Sequence, residues 1–384
     1  MKILLFDLGS YTQKDIIYYL KKQGCTCRNL LYKIVDLYED DFLERKFEEN
    51  LKKDSYDFVM STNFIPIIAK ICARNNIKYL AWSYDSPINT DKIEYYQYPT
   101  SYIFLFDRIE VERVKNLGGV NIFHMPLAVN PDRLGTIHIT KEDCLRYGAD
   151  ISFIGQFYKS PLEEIRPLLD QYQKGYIDAL VETQLRIYGY NFLEEAITDD
   201  FTEKVNEQLR RQGVEIETIK KRGLIYAINK KITHMERLAL LNLLGQSCKA
   251  KYYSSEKPES LSHLQYGGSA YYFTEMPKIF RLSKLNLNPT LKSIQSGIPL
   301  RALDILGCGG VLFSNYQPEL AEYFNDGEDV IIYESIEDAL VKADYYLRQD
   351  DLRQTIAQNG YQKAITHFSY PDKISQILKI AGIL

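Results

Sequence analysis

The sequence LNLNPTLKSIQSGIPLRALDILGCGGVLFSN occupies residues 285–315 and contains the pattern that decides the fold. Residues 284–288 predict a strand that ends in Asn288, and a polar loop follows it. Residues 301–306 predict a short apolar helix, which ends at a Gly-Gly pair before a second strand at 311–314. A strand, a helix and a strand in this order predict a parallel sheet covered by helices.

The same alternation extends toward both ends of the chain. In the first part, strands are predicted at 2–6, 56–61, 77–83, 101–106 and 122–126, with helices at 14–23, 66–75 and 109–117. A second series begins with a strand at 151–154 and continues with strands at 248–253, 284–288, 311–314 and 330–333. Because 384 residues are too many for one ordinary core, we predict an α/β protein with two Rossmann-like, doubly wound domains facing a cleft.

The domain boundaries follow from the break between the two series. We predict an N-terminal domain over 1–147 and a C-terminal domain over 148–368. The charged stretch near 160–230 has few strand signals and is expected to be a helical insertion in the second domain. The last segment, 369–384, is expected to form a helix that packs back on the N-terminal domain.

Composition excludes several classes of protein. A formal charge of -4 argues against sequence-independent binding of nucleic acid, which requires an excess of Lys and Arg. No apolar run is long enough to span a bilayer, although a peripheral membrane contact stays open. The six cysteines form no CxxC pair and no metal-ligand pattern, and we expect a reducing, cytoplasmic location. No Asp-x-Asp pair follows a predicted strand, so we expect no metal site.

The 285–315 stretch has the chemistry of a site for a nucleoside diphosphate. Backbone N–H groups at a helix N-terminus bind phosphate oxygens, and the positive end of the helix dipole assists them. Arg301 is expected to neutralise phosphate charge, and Asp304 is expected to accept hydrogen bonds from ribose hydroxyls. The alternatives are that both side chains are ordinary helix-surface residues, and that Gly309 and Gly310 merely end the helix.

Residues 301–310, RALDILGCGG, resemble the pattern Arg-x-Phe-Glu-Ile-Leu-Ala-Cys-Gly-Gly of GT-B glycosyltransferases, in particular the spore-maturation-protein (CgeB-like) branch. The similarity extends to RQTIAQNG at 353–360 and, in the first half, to YLAWSYDSP at 79–87, FLFDR at 104–108 and MPLA at 125–128. Two departures are visible. Asp304 replaces the usual Glu, and Ser296 stands where many retaining members have a second Glu, which leaves the stereochemical outcome open.

The resemblance implies an α/β fold of the GT-B type. It also implies a metal-independent glycosyltransferase that needs no cofactor and takes a nucleotide sugar as substrate. The acceptor would be a glycan, a protein, a cell-surface polymer or a lipid-linked glycan. The donor-binding residues predicted from the stretch and from the resemblance are Asp304, Arg301, Gly309, Gly310, Asn288, Ser296, Gly155, Lys159 and Tyr272. Gly155 could instead form a plain turn, and Tyr272 could frame the base or belong to the core.

The catalytic base is predicted in the N-terminal half, because it must remove a proton from the acceptor hydroxyl. Asp85 is the first candidate, since it follows a predicted strand; an Asp before Ser-Pro is also a common turn residue. Asp107 is the second candidate, with a helix cap as its alternative role, and Asp7 is the third. Two other functions stay open: a nucleotide-sugar epimerase, and a catalytically silent module that binds sugar nucleotides.

Overall fold

The computed structural model describes residues 1–88, 90, 92–213 and 218–384. Two compact units are present, and the chain passes twice between them. The N-terminal unit contains residues 1–132 and 364–384, and the C-terminal unit contains residues 133–363. The boundaries thus lie at 132/133 and 363/364, in place of the 147/148 and 368/369 predicted from the sequence.

The N-terminal unit is built on a parallel sheet of six strands in the order β2-β1-β3-β4-β5-β6. Its strands are β1 (Lys2–Asp7), β2 (Thr26–Leu31), β3 (Phe58–Thr62), β4 (Tyr79–Ser83), β5 (Ser101–Leu105) and β6 (Ile122–His124). Its helices are α1 (Tyr11–Lys22), α2 (Asp41–Lys53), α3 (Pro66–Arg74), α4 (Arg108–Asn116) and, last in chain order, α17 (Tyr370–Ile380), with a 3-10 turn at Ile93–Gln97.

Helices cover both faces of this sheet. On one face, α2, α3 and α4 bury Phe47, Ile68 and Val111 against the strands. On the other face, α1 and α17 pack Ile16 and Tyr370 against residues such as Trp82. Because both faces are buried, the central strands read as nearly continuous apolar runs, which is the pattern that predicted them.

The C-terminal unit has a second parallel sheet of six strands, in the order β12-β11-β10-β7-β8-β9. Its strands are β7 (Ala149–Ile154), β8 (Ala250–Tyr253), β9 (Gln265–Tyr266), β10 (Ser283–Asn288), β11 (Leu312–Asn315) and β12 (Ile331–Tyr333). Read in chain order within the unit this is 6-5-4-1-2-3, the order of dinucleotide-binding Rossmann folds. The predicted doubly wound α/β architecture is therefore confirmed in both units.

Helices α5 to α16 complete the chain, and α5 and α16 contain the two points where it changes unit. They are α5 (Pro131–Gly135), α6 (Lys141–Tyr147), α7 (Leu162–Ile165), α8 (Gln171–Leu185), α9 (Leu193–Ala196), α10 (Asp199–Arg211), α11 (Lys221–Leu244), α12 (Met276–Leu282), α13 (Leu300–Gly307), α14 (Pro318–Tyr323), α15 (Ile336–Leu347) and α16 (Asp350–His367), with 3-10 turns at Arg166–Leu168 and Glu259–Leu261. No helix in the described ranges is long and apolar enough to cross a membrane.

The stretch predicted as a helical insertion contains α7 to α10 and the first part of α11, apart from residues 214–217, which lie outside the described residues. These helices bury their own apolar cluster, which includes Ile177, Phe201 and Ile228. The second half of α11 packs Leu240, Leu241 and Leu244 into the core of the sheet. One long helix therefore connects the insertion to the strands that carry the site.

Candidate active site

The strand order of the C-terminal unit creates a topological switch point between β7 and β10, which are hydrogen-bonded neighbours. Chain connections leave such a pair of strands toward opposite sides, and ligands of open α/β sheets bind in the resulting crevice at the carboxyl ends. Here the crevice is bordered by residues 155–161, which follow β7, and residues 289–299, which follow β10 and lead into α13.

Arg301, in the first turn of α13, lies against Gly155 at the end of β7. A Cβ atom placed on Gly155 would be 3.0 Å from Nη2 of Arg301 and 3.1 Å from its Cζ, so a larger residue would push the guanidinium away by a few tenths of an ångström. Arg301 makes no hydrogen bond and no ion pair within the described parts of the chain. Burial lowers the pKa of Arg301, while nearby Tyr158 and Asp304 favour its charged form.

A second arginine, Arg237 of α11, joins the two loops at the switch point. Its buried guanidinium donates to the carbonyl oxygens of Gln156, after β7, and Pro289, after β10, the latter at 2.6 Å from Nη2. Burial lowers the pKa of Arg237 to about 10, and the positive charge of Arg301 contributes to this lowering. Two guanidinium groups thus repel each other here, and neither has a carboxylate partner within 4.0 Å among the described residues.

The loop after β7 contributes two more features. The Tyr158 ring centroid is 4.7 Å from Cζ of Arg237, and Tyr158 has a positive φ of 60°, which costs energy for a residue with a side chain. Lys159 is exposed and forms no ion pair in the described structure, although its charge lowers the pKa of Glu163. The backbone strain at Tyr158 is retained because the surrounding structure imposes it, and such strain is common at ligand sites.

Asp304 lies on α13 one turn after Arg301 and is 97% buried, with 3% exposed. The Tyr272 hydroxyl donates to Oδ1 of Asp304 at 3.1 Å and to Oδ2 at 3.2 Å. The structure therefore brings together four of the predicted donor-site residues: Gly155 contacts Arg301, and Tyr272 contacts Asp304. Tyr272 is held by Asp304 in this arrangement, whereas the sequence suggested that it frames the base.

Asn288 and Ser296 make hydrogen bonds within the protein that the sequence did not reveal. Asn288 is fully buried; its amide nitrogen donates to Ser314 in β11 at 3.1 Å, whereas its Oδ1 has no hydrogen-bond partner in the described structure. The Ser296 hydroxyl donates to Oε1 of Glu319 at 2.8 Å, and both side chains are buried. These contacts fasten β10 to β11 and the loop after β10 to α14, and the donor contacts of Asn288 and Ser296 stay predictions.

Gly309 and Gly310 have structural roles at the end of α13, which corrects their assignment to the donor site. Gly309 has a φ of 72°, a conformation that favours glycine, and the Gly310 N–H donates to the Ile305 carbonyl at 3.0 Å. A Cβ atom on Gly310 would be 2.7 Å from the Phe280 carbonyl oxygen. Because α13 returns to the start of β11, both glycines lie at the sheet edge opposite the carboxyl ends.

In the N-terminal unit, Asp85 follows β4 and is held by Asn63, which follows β3. The Asn63 amide donates to Oδ2 of Asp85 at 2.7 Å, and its carbonyl oxygen accepts from the backbone of Tyr84 and Asp85. Asn63 has a positive φ of 70°, which Asn tolerates better than most residues. The Asp85 side chain reaches solvent, but the surrounding protein raises its pKa by desolvation, against the hydrogen bond from Asn63. An accessible carboxylate with a raised pKa is suited to general-base catalysis.

The other two candidates for the base, Asp107 and Asp7, accept hydrogen bonds from backbone N–H groups. Asp107 is 1% exposed; it caps α4 by accepting from the Ile109 N–H and also accepts from the Ser86 hydroxyl. The contacts of Asp107 therefore agree with its alternative role as a helix cap. Asp7 accepts from the Gly9 N–H at 2.7 Å and from Asn29 at 2.8 Å, within the turn after β1.

One family model matches part of the chain. Residues 224–379 match the model described as Glycosyl transferase-like. The matched region contains Arg237, Tyr272, Arg301 and Asp304, so most of the side chains around the switch point lie within it.

Solved structures with the same fold span the whole chain, at low sequence identity. HepE from Anabaena, in complex with UDP and glucose, is 12% identical with a TM-score of 0.55, and each chain is covered completely. A glycosyltransferase from Rickettsia africae is 14% identical with a TM-score of 0.58, over 99% of this chain and 97% of that one. Sucrose-phosphate synthase from Thermosynechococcus elongatus is 9% identical with a TM-score of 0.57, over 99% and 98%. The chain therefore has the GT-B fold, whereas curated protein sequences give no significant match.

The contact between Gly155 and Arg301 gives a first prediction for this site. In Gly155→Ala, the added methyl group displaces the guanidinium, and we expect affinity for a nucleoside diphosphate to fall about 10-fold, measured by titration calorimetry. The control is Gly175→Ala in α8, where nothing lies within 4 Å of the added atom. This control should bind like the wild type and unfold at the same or a higher temperature, because Ala favours a helix more than Gly. Equal binding by both variants would contradict the assigned position of Arg301.

Proposed function

We propose that the chain transfers a sugar from a nucleoside diphosphate sugar to an acceptor hydroxyl, with the donor bound at the β7/β10 switch point. The observation that carries this proposal is a pair of arginines without a carboxylate partner within 4.0 Å in the described structure. Arg301 makes no hydrogen bond or ion pair there, and Arg237 contacts carbonyl oxygens and the Tyr158 ring. A diphosphate would neutralise both charges. Further positive charge comes from Lys159, in the loop after β7, and from the N-terminus of α13.

The reaction is a displacement at the anomeric carbon of the donor sugar. The acceptor oxygen forms a bond to that carbon as the bond to the diphosphate oxygen breaks, and the nucleoside diphosphate leaves. Asp85 of the N-terminal unit accepts the proton of the acceptor hydroxyl. Arg301 stabilises the negative charge that develops on the leaving diphosphate, and Asp304 accepts from the ribose hydroxyls.

We propose UDP as the nucleotide, since the structural neighbour HepE is described with UDP and with UDP-glucose. In this scheme Arg301, Lys159 and the dipole of α13 neutralise the diphosphate in place of a metal ion, and no other cofactor takes part. Membership of the spore-maturation-protein branch, an acceptor on a glycan, protein, lipid or cell-surface polymer, and a cytoplasmic location are further proposals. The location is supported by the six cysteines, all of which are free thiols.

The experiment that tests the function follows the fate of a radiolabelled UDP-sugar. UDP release that rises when candidate acceptors are added, with the label appearing in the acceptor, would support transfer. A changed sugar still attached to UDP would identify an epimerase. Binding of UDP without turnover of any UDP-, GDP-, dTDP- or ADP-sugar would indicate a silent binding module.

The hydrogen bond between Asn63 and Asp85 predicts a pH effect. A base acts when it is deprotonated, so activity should fall as pH decreases through the raised pKa of Asp85. In Asn63→Asp, a second carboxylate replaces the amide 2.7 Å from Asp85, and the pair is expected to share a proton. The acid limb of the kcat/KM profile should therefore move upward by about one pH unit or more.

The matched control is Asn29→Asp, which places a carboxylate beside Asp7 in the same geometry, at 2.8 Å. We expect no shift of the acid limb in this variant. A shift caused by Asn29→Asp and not by Asn63→Asp would assign the base to Asp7 in place of Asp85.

A further inference from the structure

The contact between Tyr272 and Asp304 covers the carboxylate that the proposed function assigns to the ribose. A single phenol hydroxyl donates to both carboxylate oxygens, at 3.1 and 3.2 Å, and only 3% of Asp304 is exposed. A carboxylate accepts only, so the groups that bind it must be donors. The two hydroxyls of a ribose are such donors, and they would approach the same two oxygens.

We propose that Tyr272 occupies the ribose position in the empty protein, and that donor binding displaces its side chain from Asp304. This inference rests on the proposed function, because it assumes that Asp304 receives the ribose. Tyr272 then acts as an affinity-determining residue: it compensates the buried carboxylate when no nucleotide is present and competes with the nucleotide when one arrives. The apparent affinity is lowered in proportion to the fraction of molecules in which Tyr272 has left.

The backbone around Tyr272 indicates that the ring moves and the main chain does not. On one side, the Gly268 carbonyl accepts from the Ser254 N–H at 2.9 Å. Across Tyr272, the preceding residue is joined to the residues that follow: the Tyr271 N–H donates to Oε2 of Glu275, and the Tyr271 carbonyl accepts from the Glu275 and Met276 N–H groups. Both flanks of the residue are therefore fixed to the fold, and rotation of the Tyr272 side chain is the simplest way to open Asp304.

The aromatic surroundings of Tyr272 fit a ring that can be exchanged. Its partners in the C-terminal unit are the Phe273 ring, at 5.2 Å between centroids, and the Arg133 guanidinium, at 5.1 Å from the Tyr272 centroid. Tyr272 is only partly buried, so its rotation does not require a core side chain to leave its place. After the rotation, Phe273 and Arg133 remain available to contact the nucleotide.

The test is a titration of UDP into the wild type, Tyr272→Phe and the control Tyr271→Phe. Tyr271 is the neighbouring tyrosine, 54% exposed, with no hydroxyl contact to Asp304. Loss of the Tyr272 hydroxyl removes the competitor, so we expect Tyr272→Phe to bind UDP about 3- to 10-fold more tightly. Tyr271→Phe should bind like the wild type.

A second titration with 2′,3′-dideoxy-UDP separates competition from a general loosening of the site. This ligand has no ribose hydroxyls to compete with the Tyr272 hydroxyl for Asp304. The higher affinity of Tyr272→Phe relative to the wild type should therefore disappear. Equal or weaker binding of UDP by a folded Tyr272→Phe would overturn the inference while leaving the proposed function intact, provided that the wild type binds UDP. Absence of binding by the wild type would overturn both.

Discussion

Replacement of Arg301 by alanine is expected to lower kcat/KM for the nucleotide sugar about 100- to 1,000-fold, because the variant loses a charge aimed at the leaving diphosphate. Affinity for free UDP should fall as well. The stability of the folded protein should not decrease. Arg301 forms no hydrogen bond or ion pair in the described structure, so its removal leaves no buried group without a partner. Removal of its charge also ends the repulsion that lowers the pKa of Arg237. We therefore expect an unfolding temperature equal to or above that of the wild type in the absence of ligand.

The control for this variant is Arg348→Ala. Arg348 follows α15, its side chain is 73% exposed, and it pairs only with Asp344 on the surface. We expect wild-type kinetics from this variant, because an exposed ion pair contributes little to stability. If Arg301→Ala and Arg348→Ala were equally active, the diphosphate would have to bind elsewhere.

Replacement of Asp85 by asparagine is expected to lower kcat about 100- to 10,000-fold, which is the usual contribution of a general base. Affinity for UDP should stay unchanged, because Asp85 belongs to the N-terminal unit and the donor residues belong to the C-terminal unit. Rates would be measured as nucleoside diphosphate release in the presence of an acceptor that the wild type uses. A loss of kcat without a change in UDP affinity separates a base from a donor-binding residue.

Asp107→Asn provides the matched control, since it makes the same chemical change at the other carboxylate that the sequence favoured. Asn is as good a helix cap as Asp, so the hydrogen bond to the Ile109 N–H can be kept. We expect nearly unchanged kcat and stability. A large loss of kcat in Asp107→Asn, with activity retained in Asp85→Asn, would reverse the assignment.

Much of the fold could be predicted, because both sheets are covered on two faces and their central strands are apolar runs. Helix α3 was predicted over 66–75, and the structure has it over Pro66–Arg74, with Pro66 in its first turn. The strand β2 was missed because it lies at the edge of its sheet, and its polar, largely exposed sequence TCRNLL gives no such run. The helix α2 was missed because charged residues dominate its sequence.

The residues that the structure brings to the switch point were predicted in part. Arg301, Asp304 and Gly155 were named because they follow strand ends or begin a helix, which local patterns reveal. Arg237 was overlooked, since it lies in a helix far along the chain from both loops that it joins; the available signal was an arginine on the apolar side of 233–244. The hydrogen bonds of Asn288 and Ser296 go to partners 26 and 23 residues away, which spacing alone does not give.

The most direct test of the central claim is a calorimetric titration of UDP, GDP, dTDP and ADP into the wild-type chain and Arg301→Ala. We expect one of these nucleotides, UDP in our proposal, to bind the wild type and to bind Arg301→Ala at least about 10-fold more weakly. A folded wild type that binds none of them, or an Arg301→Ala variant that binds as tightly as the wild type, would contradict a donor site at the β7/β10 switch point.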